Sequence, residues 1–527
     1  MFAIAAIGGA ALWLLAWPRT TVQPAHGALA QISGLGAGHL LSAEVTYGTH
    51  TVRLREQAGG LIPVSALPQR TEVTVTAEVR EPSWLSWISG RTRRITRQIV
   101  TPGASLVDPI VVAQPGTPVQ ARFGGGVRKV EVLAGPQHRV EHLHRPSTHV
   151  NLISRVKAGQ GGTFQIAAAP ETWESLQAPA VLNYFGSMGR STMLLTQPAL
   201  QNGTVGPTGT IHLTFSRPVA SAFGKRMPTI TPVVNGALVP KGRWSEPTVD
   251  SLQFTPDGAT FWPGEQYRLA LPAPAMLIAE TGNGVSTQSL AFSGSSGSTL
   301  RLQQLLATLG YLPLSWSPTG ASGNPKSLTG QAGLMAAPPP GTFTWRWTTL
   351  PPAFTSLWQP GADNVILQGA IMTFEQVSHL DTTGTANPLL WPTLIDAVLH
   401  HDMDPHHYTW IEVSQNLPET LTFYRNGVVA LTSLTNTGIP QAPTAPGTYP
   451  VYLRLAFQVM RGNNPNGSAY ADPVDWINYF NGGDAVHGFP RASYGFPQSV
   501  GCAELPISVA ATLWPMVHIG TLVTVLP

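Results

Sequence analysis

The sequence predicts a mostly β, multidomain chain, with a small helical domain placed ahead of a β-rich C-terminal domain. Three observations predict it. At 527 residues the chain is long enough for three to five domains. Charged residues are only 11%, about half the soluble norm, while Gly 53 and Pro 48 punctuate short runs rich in Val, Thr and Leu. Most of those runs alternate with period two, and one stretch after residue 296 changes to helical period. Hydrophobic residues reach 43%, enough to build cores, so global disorder is excluded. Lys+Arg 30 against Asp+Glu 27 gives a net charge of +3, which excludes nucleic-acid binding by bulk charge. The single cysteine, Cys502, excludes an internal disulfide.

Met1 to Trp17 carry no charged or strongly polar side chain, and Pro18 and Arg19 end the run. As a helix this would span roughly 25 Å, slightly short of a bilayer core. Residues 1–18 therefore read as a single membrane anchor. A signal cleaved after Ala28-Leu29-Ala30 is the second reading and a buried helix the third. Both leading readings put the rest of the chain outside the cytoplasm, at the cell membrane or secreted.

Residues 28–196 read as one or two β-rich domains, with alternation such as Glu72-Val73-Thr74-Val75-Thr76-Ala77-Glu78-Val79. Trp84-Leu85-Ser86-Trp87-Ile88 precedes Arg91, Arg93, Arg94 and Arg97, a hairpin with a solvated basic strand or a patch for anionic lipid or wall polymer. His138, His142, His144 and His149 lack acidic or cysteine partners at helical ligand spacing, so surface histidines on strands are expected rather than a metal site. Residues 197–293 space strands and turns regularly, as in Thr210–Phe215, Ser251–Phe254 and Gln266–Leu271, implying an immunoglobulin-like sandwich that acts as a spacer.

Residues 296–400 form the helical domain. Leu302, Leu305, Leu306 and Leu309 make one apolar face ending at Gly310. A second helix fits Val365 to Leu380, and a third follows Pro388 with Leu390, Leu394 and Val398. The order Gly369-Ala370-Ile371-Met372-Thr373-Phe374-Glu375, Gly384, Leu390-Trp391 resembles the three-helix peptidoglycan-binding-like domain. A Pro-rich insertion at 313–362, with Trp345, Trp347 and Trp358, interrupts the match.

From Tyr408 onward strands return, and Asn426-Gly427 between Tyr424 and Val428 signals a hairpin. Cys502 follows Gly501 and precedes an amphipathic stretch, Leu505 to Trp514, that reads as a helix. A thiol beside a helix N-terminus is expected to have a lowered pKa. Gly501 lets backbone approach a carbonyl, so successive N–H groups there can receive an oxyanion. His487, in another Gly-flanked segment, is the candidate base for the thiol.

These motifs stand in a recognisable order. His487-Gly488, Tyr494-Gly495-Phe496-Pro497 and Ser499-Val500-Gly501-Cys502, with Thr444-Ala445-Pro446-Gly447 before them, resemble the L,D-transpeptidase (YkuD) catalytic domain over 408–527. The resemblance implies Cys502 as nucleophile, His487 as general base, a carbonyl at Gly488 that orients the base, and an oxyanion site at Gly501 and Cys502. It implies stem peptides of peptidoglycan as partners, 3→3 cross-links made through a cysteine thioester, and acylation by carbapenems. It calls for no cofactor and no metal. Val500 replaces the histidine that most relatives carry two residues before the cysteine, and Glu504 stands where many carry Arg or Asn. A catalytically degenerate wall-binding protein is therefore the alternative, and an L,D-carboxypeptidase or protein-anchoring variant a third reading. Tyr479, Phe480, Tyr494 and Ser499 are the expected substrate contacts, with Tyr470 and Trp476 nearby. The tract His400 to His407 looks metallic by composition but reads as a linker.

Overall fold

Alternating side chains upstream of the helical segment do become strands with one buried face. In Glu72–Arg80 the residues Val73, Val75, Ala77 and Val79 are buried while Glu72, Glu78 and Arg80 are exposed. The computed structural model describes residues 20–33, 39–80, 91–234, 237–278, 284–320 and 325–527. The apolar run Met1–Trp17 and the Trp84–Ile88 segment lie outside the described residues. Among the described residues, no helix is long and apolar enough to cross a membrane.

The chain divides into two units, 1–195 with 214–224 and 273–287, and 196–213 with 225–272 and 288–527. The first contains a seven-stranded sheet running from Thr21–Ala25 at one edge to Thr92–Val100 at the other. Its core gathers Val45, Leu61, Leu67, Val73, Val75 and Trp173. Arg93, Arg94 and Arg97 lie on the edge strand, which pairs with Glu72–Arg80 from Val79↔Arg93 to Val75↔Arg97. A five-stranded sheet follows, in which Gln137–Ile153 pairs with Val119–Ala134. His138, His142, His144 and His149 are exposed on that edge strand, and His138 Nε2 lies 2.6 Å from Glu131 Oε1.

In the second unit, Gly242–Thr248 and Ser251–Pro256 form a hairpin over an aromatic core of Phe254, Phe261, Tyr267 and Phe292. The Tyr267 hydroxyl accepts the Trp262 N–H at 2.8 Å and donates to Thr260 O at 3.2 Å, so this buried phenol is satisfied. Thr299–Leu309 is helical, buries Leu302, Leu305, Leu306 and Leu309, and ends at Gly310 with φ +88°, the left-handed stop that glycine supplies cheaply. Val365–Val377 starts at Asn364, whose side chain accepts the Leu367 N–H, and Leu390–His400 is the third helix. Fully buried Glu375 accepts from Thr383 N–H, Thr383 O–H, Gly384 N–H and the Asn387 amide, pinning the loop between those two helices. The insertion folds as a hairpin, Leu314–Pro318 with Gly341–Trp345, and two short helices. Its Trp316, Trp345, Trp347 and Trp358 pack onto the helical core.

The helical segment and the C-terminal domain share that core, which extends to Trp410 and Leu522. Gly369 allows this contact, because a Cβ there would meet Gly520 O at 2.6 Å. The C-terminal domain has two sheets. One is ordered Val428–Leu434, Thr420–Arg425, Thr409–Ser414, Leu522–Leu526, Gly447–Pro450. The other is ordered Leu453–Asn463, Ala469–Asn481, Asp484–Gly488, Ala503–Leu505. Asn426 and Gly427 both take positive φ, 49° and 77°, as a two-residue hairpin turn requires. Ile411, Phe423, Phe480, Val486, Leu505 and Val523 fill the core of this domain.

Candidate active site

Two short strands place the reactive groups. Asp484–Gly488 pairs in parallel with Ala503–Leu505, matching Val486↔Ala503 and His487↔Glu504. Cys502 thus sits one residue before its strand, beside the strand that carries His487. Both side chains line a cleft of about 360 Å³, whose far wall is the hairpin of Leu453–Asn463 and Ala469–Asn481.

His487 is 3% exposed, with Nδ1 3.2 Å from Gly488 O. A proton on Nδ1 satisfies that carbonyl and leaves Nε2 as the free base nitrogen. Burial pushes the imidazole below its ordinary pKa, against the raising influence of the Gly488 carbonyl and the Glu504 carboxylate. The ring is therefore neutral at neutral pH, the state a general base needs.

Cys502 is half-buried, with Sγ 3.8 Å from Gly483 O. The helix expected right after it is absent. Ala503–Leu505 is strand, and the helix begins only at Ile507, after Pro506. Its dipole therefore does not reach the sulfur, since that influence fades within a turn. Burial instead pushes the thiol up to about 12, reinforced by the carboxylates of Asp484 and Glu504 and opposed by the Ala485 N–H. The resting pair is a thiol facing a neutral imidazole, and the proton has to move during attack.

Gly501 has φ +114°, and a Cβ there would collide with Asp484 Oδ1. The Ser499 hydroxyl donates to Cys502 O at 2.6 Å, closing the turn that presents the thiol. Glu504 receives two hydrogen bonds from Arg491, Nε and Nη2 each at 2.7 Å. Arg491 stacks on Phe489 at 4.8 Å, and Phe489 stands edge-on to His487 at 6.2 Å. The cation facing the carboxylate at 504 is thus supplied by the loop that carries Arg491. Behind it, Asn436 exchanges main-chain hydrogen bonds with Glu504 at 3.0 and 2.9 Å.

The expected substrate contacts separate. The Tyr479 hydroxyl donates to Gln458 Oε1 at 2.8 Å. Phe480, one residue on along the same strand, points the other way into the core at 3% exposure. Tyr494 spends its hydroxyl on Phe489 O and Arg491 N–H, and Ser499 is committed to its own turn. Of the four only Ser499 lines the cleft, together with Tyr470, Asp472, Met460 and Arg491. Arg491 had a sequence signal, being the lone basic residue between His487 and Cys502. Asp472 and Met460 had none, since only hairpin register brings them there. The His400–His407 tract contributes nothing to the cleft lining, and among the described residues no group of three His, Cys, Asp or Glu side chains is placed to hold a metal.

Residues 408–525 match the family model of the L,D-transpeptidase catalytic domain, YkuD. Among solved structures, the chain is similar to the catalytic domain of an Enterococcus faecium L,D-transpeptidase, at 30% identity over 23% of this chain and 98% of that one, with a TM-score of 0.21. The same domain acylated by ertapenem matches at 30% identity over 23% and 97%, TM-score 0.21. A longer Enterococcus faecium L,D-transpeptidase, carrying a cysteine-to-serine substitution, matches at 26% identity over 25% of this chain, TM-score 0.21. This chain spans 62% of the length of that longer relative. No curated protein matches the chain.

Proposed function

Through residues 408–525 the chain belongs to the YkuD family of L,D-transpeptidases, and from that premise we propose that it cross-links peptidoglycan through a thioester on Cys502. The observation that carries this reading is one cleft holding both Cys502 and a buried, neutral His487 whose Nδ1 is spent on Gly488 O. Cys502 Sγ attacks the carbonyl of the third residue of a tetrapeptide stem while His487 Nε2 takes the thiol proton. The S–C bond forms, the C–N bond to the terminal D-Ala breaks, and the imidazolium returns its proton to the leaving amine. A side-chain amine of a second stem then attacks the thioester, yields its proton to His487, and restores the thiol, leaving a 3→3 cross-link. Backbone N–H groups at Gly501 and Cys502 receive the oxyanion in both halves, each donor contributing about 3–4 kcal/mol.

The apolar Met1–Trp17 run acts as a membrane anchor or signal, the domain works on the wall side, and the upstream β and helical segments act as spacers. Water in place of the amine would give an L,D-carboxypeptidase. The raised Cys502 thiol and Val500 favour a second reading, a wall-binding remnant that holds stems without reacting. Incubation with a purified disaccharide-tetrapeptide decides among them by mass spectrometry. Cross-linked dimer with released D-Ala is expected. D-Ala with tripeptide alone indicates the carboxypeptidase, and unchanged substrate with a folded protein overturns the enzymatic reading.

A further inference from the structure

A second recess in the same unit is ringed by positive and hydrogen-donating side chains that the transpeptidase chemistry leaves unused. It measures about 410 Å³ and is lined by Arg425, Arg454, His406, His407 and His518, with no acidic residue among its lining. It shares no lining residue with the Cys502 cleft. Four separate stretches build it: the end of the histidine tract, the strands Thr420–Arg425 and Leu453–Asn463, and the segment after Ile507–Leu513.

Part of this donor set is unspent, although His518 has both ring nitrogens engaged, by Ile519 O and by Thr409 Oγ1 with His407 O. Exposed Arg425, beside the Asn426-Gly427 turn, makes no ion pair among the described residues. Asn426 Oδ1 accepts the Tyr408 N–H, so its amide nitrogen is the donor to His407 Nδ1 at 2.8 Å. That fixes the His407 proton on Nε2, where the protein offers no acceptor. His406 stacks on His518 at 4.8 Å with an interplanar angle of 15°, and its ring nitrogens make no hydrogen bond to the protein. Arg454 gives Nε to Asn478 Oδ1 at 3.0 Å and Nη2 to Trp514 O, which anchors it over the Trp514 ring and leaves Nη1. Two guanidiniums face the recess with no carboxylate in its lining, and the nearest one, Asp404, is turned to the His406 main-chain N–H at 2.9 Å.

We propose that this recess is a binding site for a phosphate-type oxyanion. A tetrahedral anion offers acceptors in three directions at once, matching the Arg425 and Arg454 guanidiniums on two strands and the His407 Nε2–H on the tract, whereas a carboxylate offers two in one plane. A metal is disfavoured by the same facts, because the arginines repel it and one His407 nitrogen is already occupied.

The test is a titration of the full chain with inorganic phosphate, read by NMR from the imidazole signals of His406, His407 and His518. Acetate and zinc are titrated in parallel. Saturable phosphate shifts are expected, with acetate at least tenfold weaker. Arg425→Gln, an exposed change that leaves the melting temperature in place, is expected to weaken phosphate about tenfold. His407→Gln is the second variant, expected to weaken it severalfold. No saturable shift, acetate as tight as phosphate, saturable binding of zinc alone, or phosphate affinity unchanged in both variants overturns the proposal.

Discussion

His487 and His518 are both enclosed imidazoles whose Nδ1 lies against the carbonyl of the following residue, at 3.2 Å from Gly488 O and 3.0 Å from Ile519 O. Burial pushes both below the ordinary histidine pKa, His518 to about 4. They differ at the second nitrogen. His518 Nε2 is taken by Thr409 Oγ1 at 3.1 Å and His407 O at 3.3 Å. His487 Nε2 makes no hydrogen bond to the protein, and its ring lines the cleft that holds the lone thiol. An oriented, neutral histidine becomes a base only when its other nitrogen is left free beside something to deprotonate.

The widest predicted gap between the two sites is in rate. His487→Ala is expected to slow acylation by ertapenem by about 10²–10⁴-fold, measured by stopped-flow fluorescence. His518→Gln, folded, is expected to stay within a few-fold, and a loss equal to that of His487→Ala would break the distinction. Gly501→Ala comes next, because φ +114° strains any residue with a Cβ and the Asp484 carboxylate would have to move aside. Roughly tenfold or more should be lost with the fold intact by circular dichroism; wild-type rate would mean that the turn does not set the thiol.

The pH profile sharpens the comparison. Acylation needs neutral His487, so its rate should fall as pH drops, with an inflection below 6.5, the ordinary value that burial lowers. With the thiol pushed up to about 12, the rate should then stay level to about pH 9. A steep rise between pH 8 and 9 would mean that free thiolate carries the reaction. Arg491→Gln removes two charge-assisted bonds to Glu504 and should cost about 1–3 kcal/mol of stability by urea unfolding, with a severalfold lower acylation rate. Last, replacing His400, His401, His406 and His407 together by Gln is expected to change acylation less than about twofold.

The parts legible in the sequence were those set by local pattern. Alternation along Glu72–Arg80, the leucine face closed by Gly310, and the Asn426-Gly427 turn are each decided within a few residues. His487 and Cys502 were legible for the same reason, each sitting in a short Gly-flanked motif. The thiol's environment was not. An amphipathic stretch after Cys502 promised a helix, but parallel pairing with Asp484–Gly488 claims Ala503 to Leu505 first, and Pro506 delays the helix. The substrate side was least legible: Tyr470 was among the aromatics expected at a cleft wall, but period-two alternation turns Phe480 inward and a long hairpin register decides that Met460 and Asp472 face the cleft. The histidine tract was read by composition alone; His518, 111 residues after His407, is what gives its end a defined geometry.

The central claim is that Cys502 is the nucleophile of a working acyl-transfer site. Intact-mass spectrometry of the folded full chain after incubation with ertapenem tests it most directly. The account predicts a single adduct on the wild type, mapped to Cys502 by peptide digestion, and none on Cys502→Ala. An unmodified wild type, or an adduct that persists in Cys502→Ala, would contradict it.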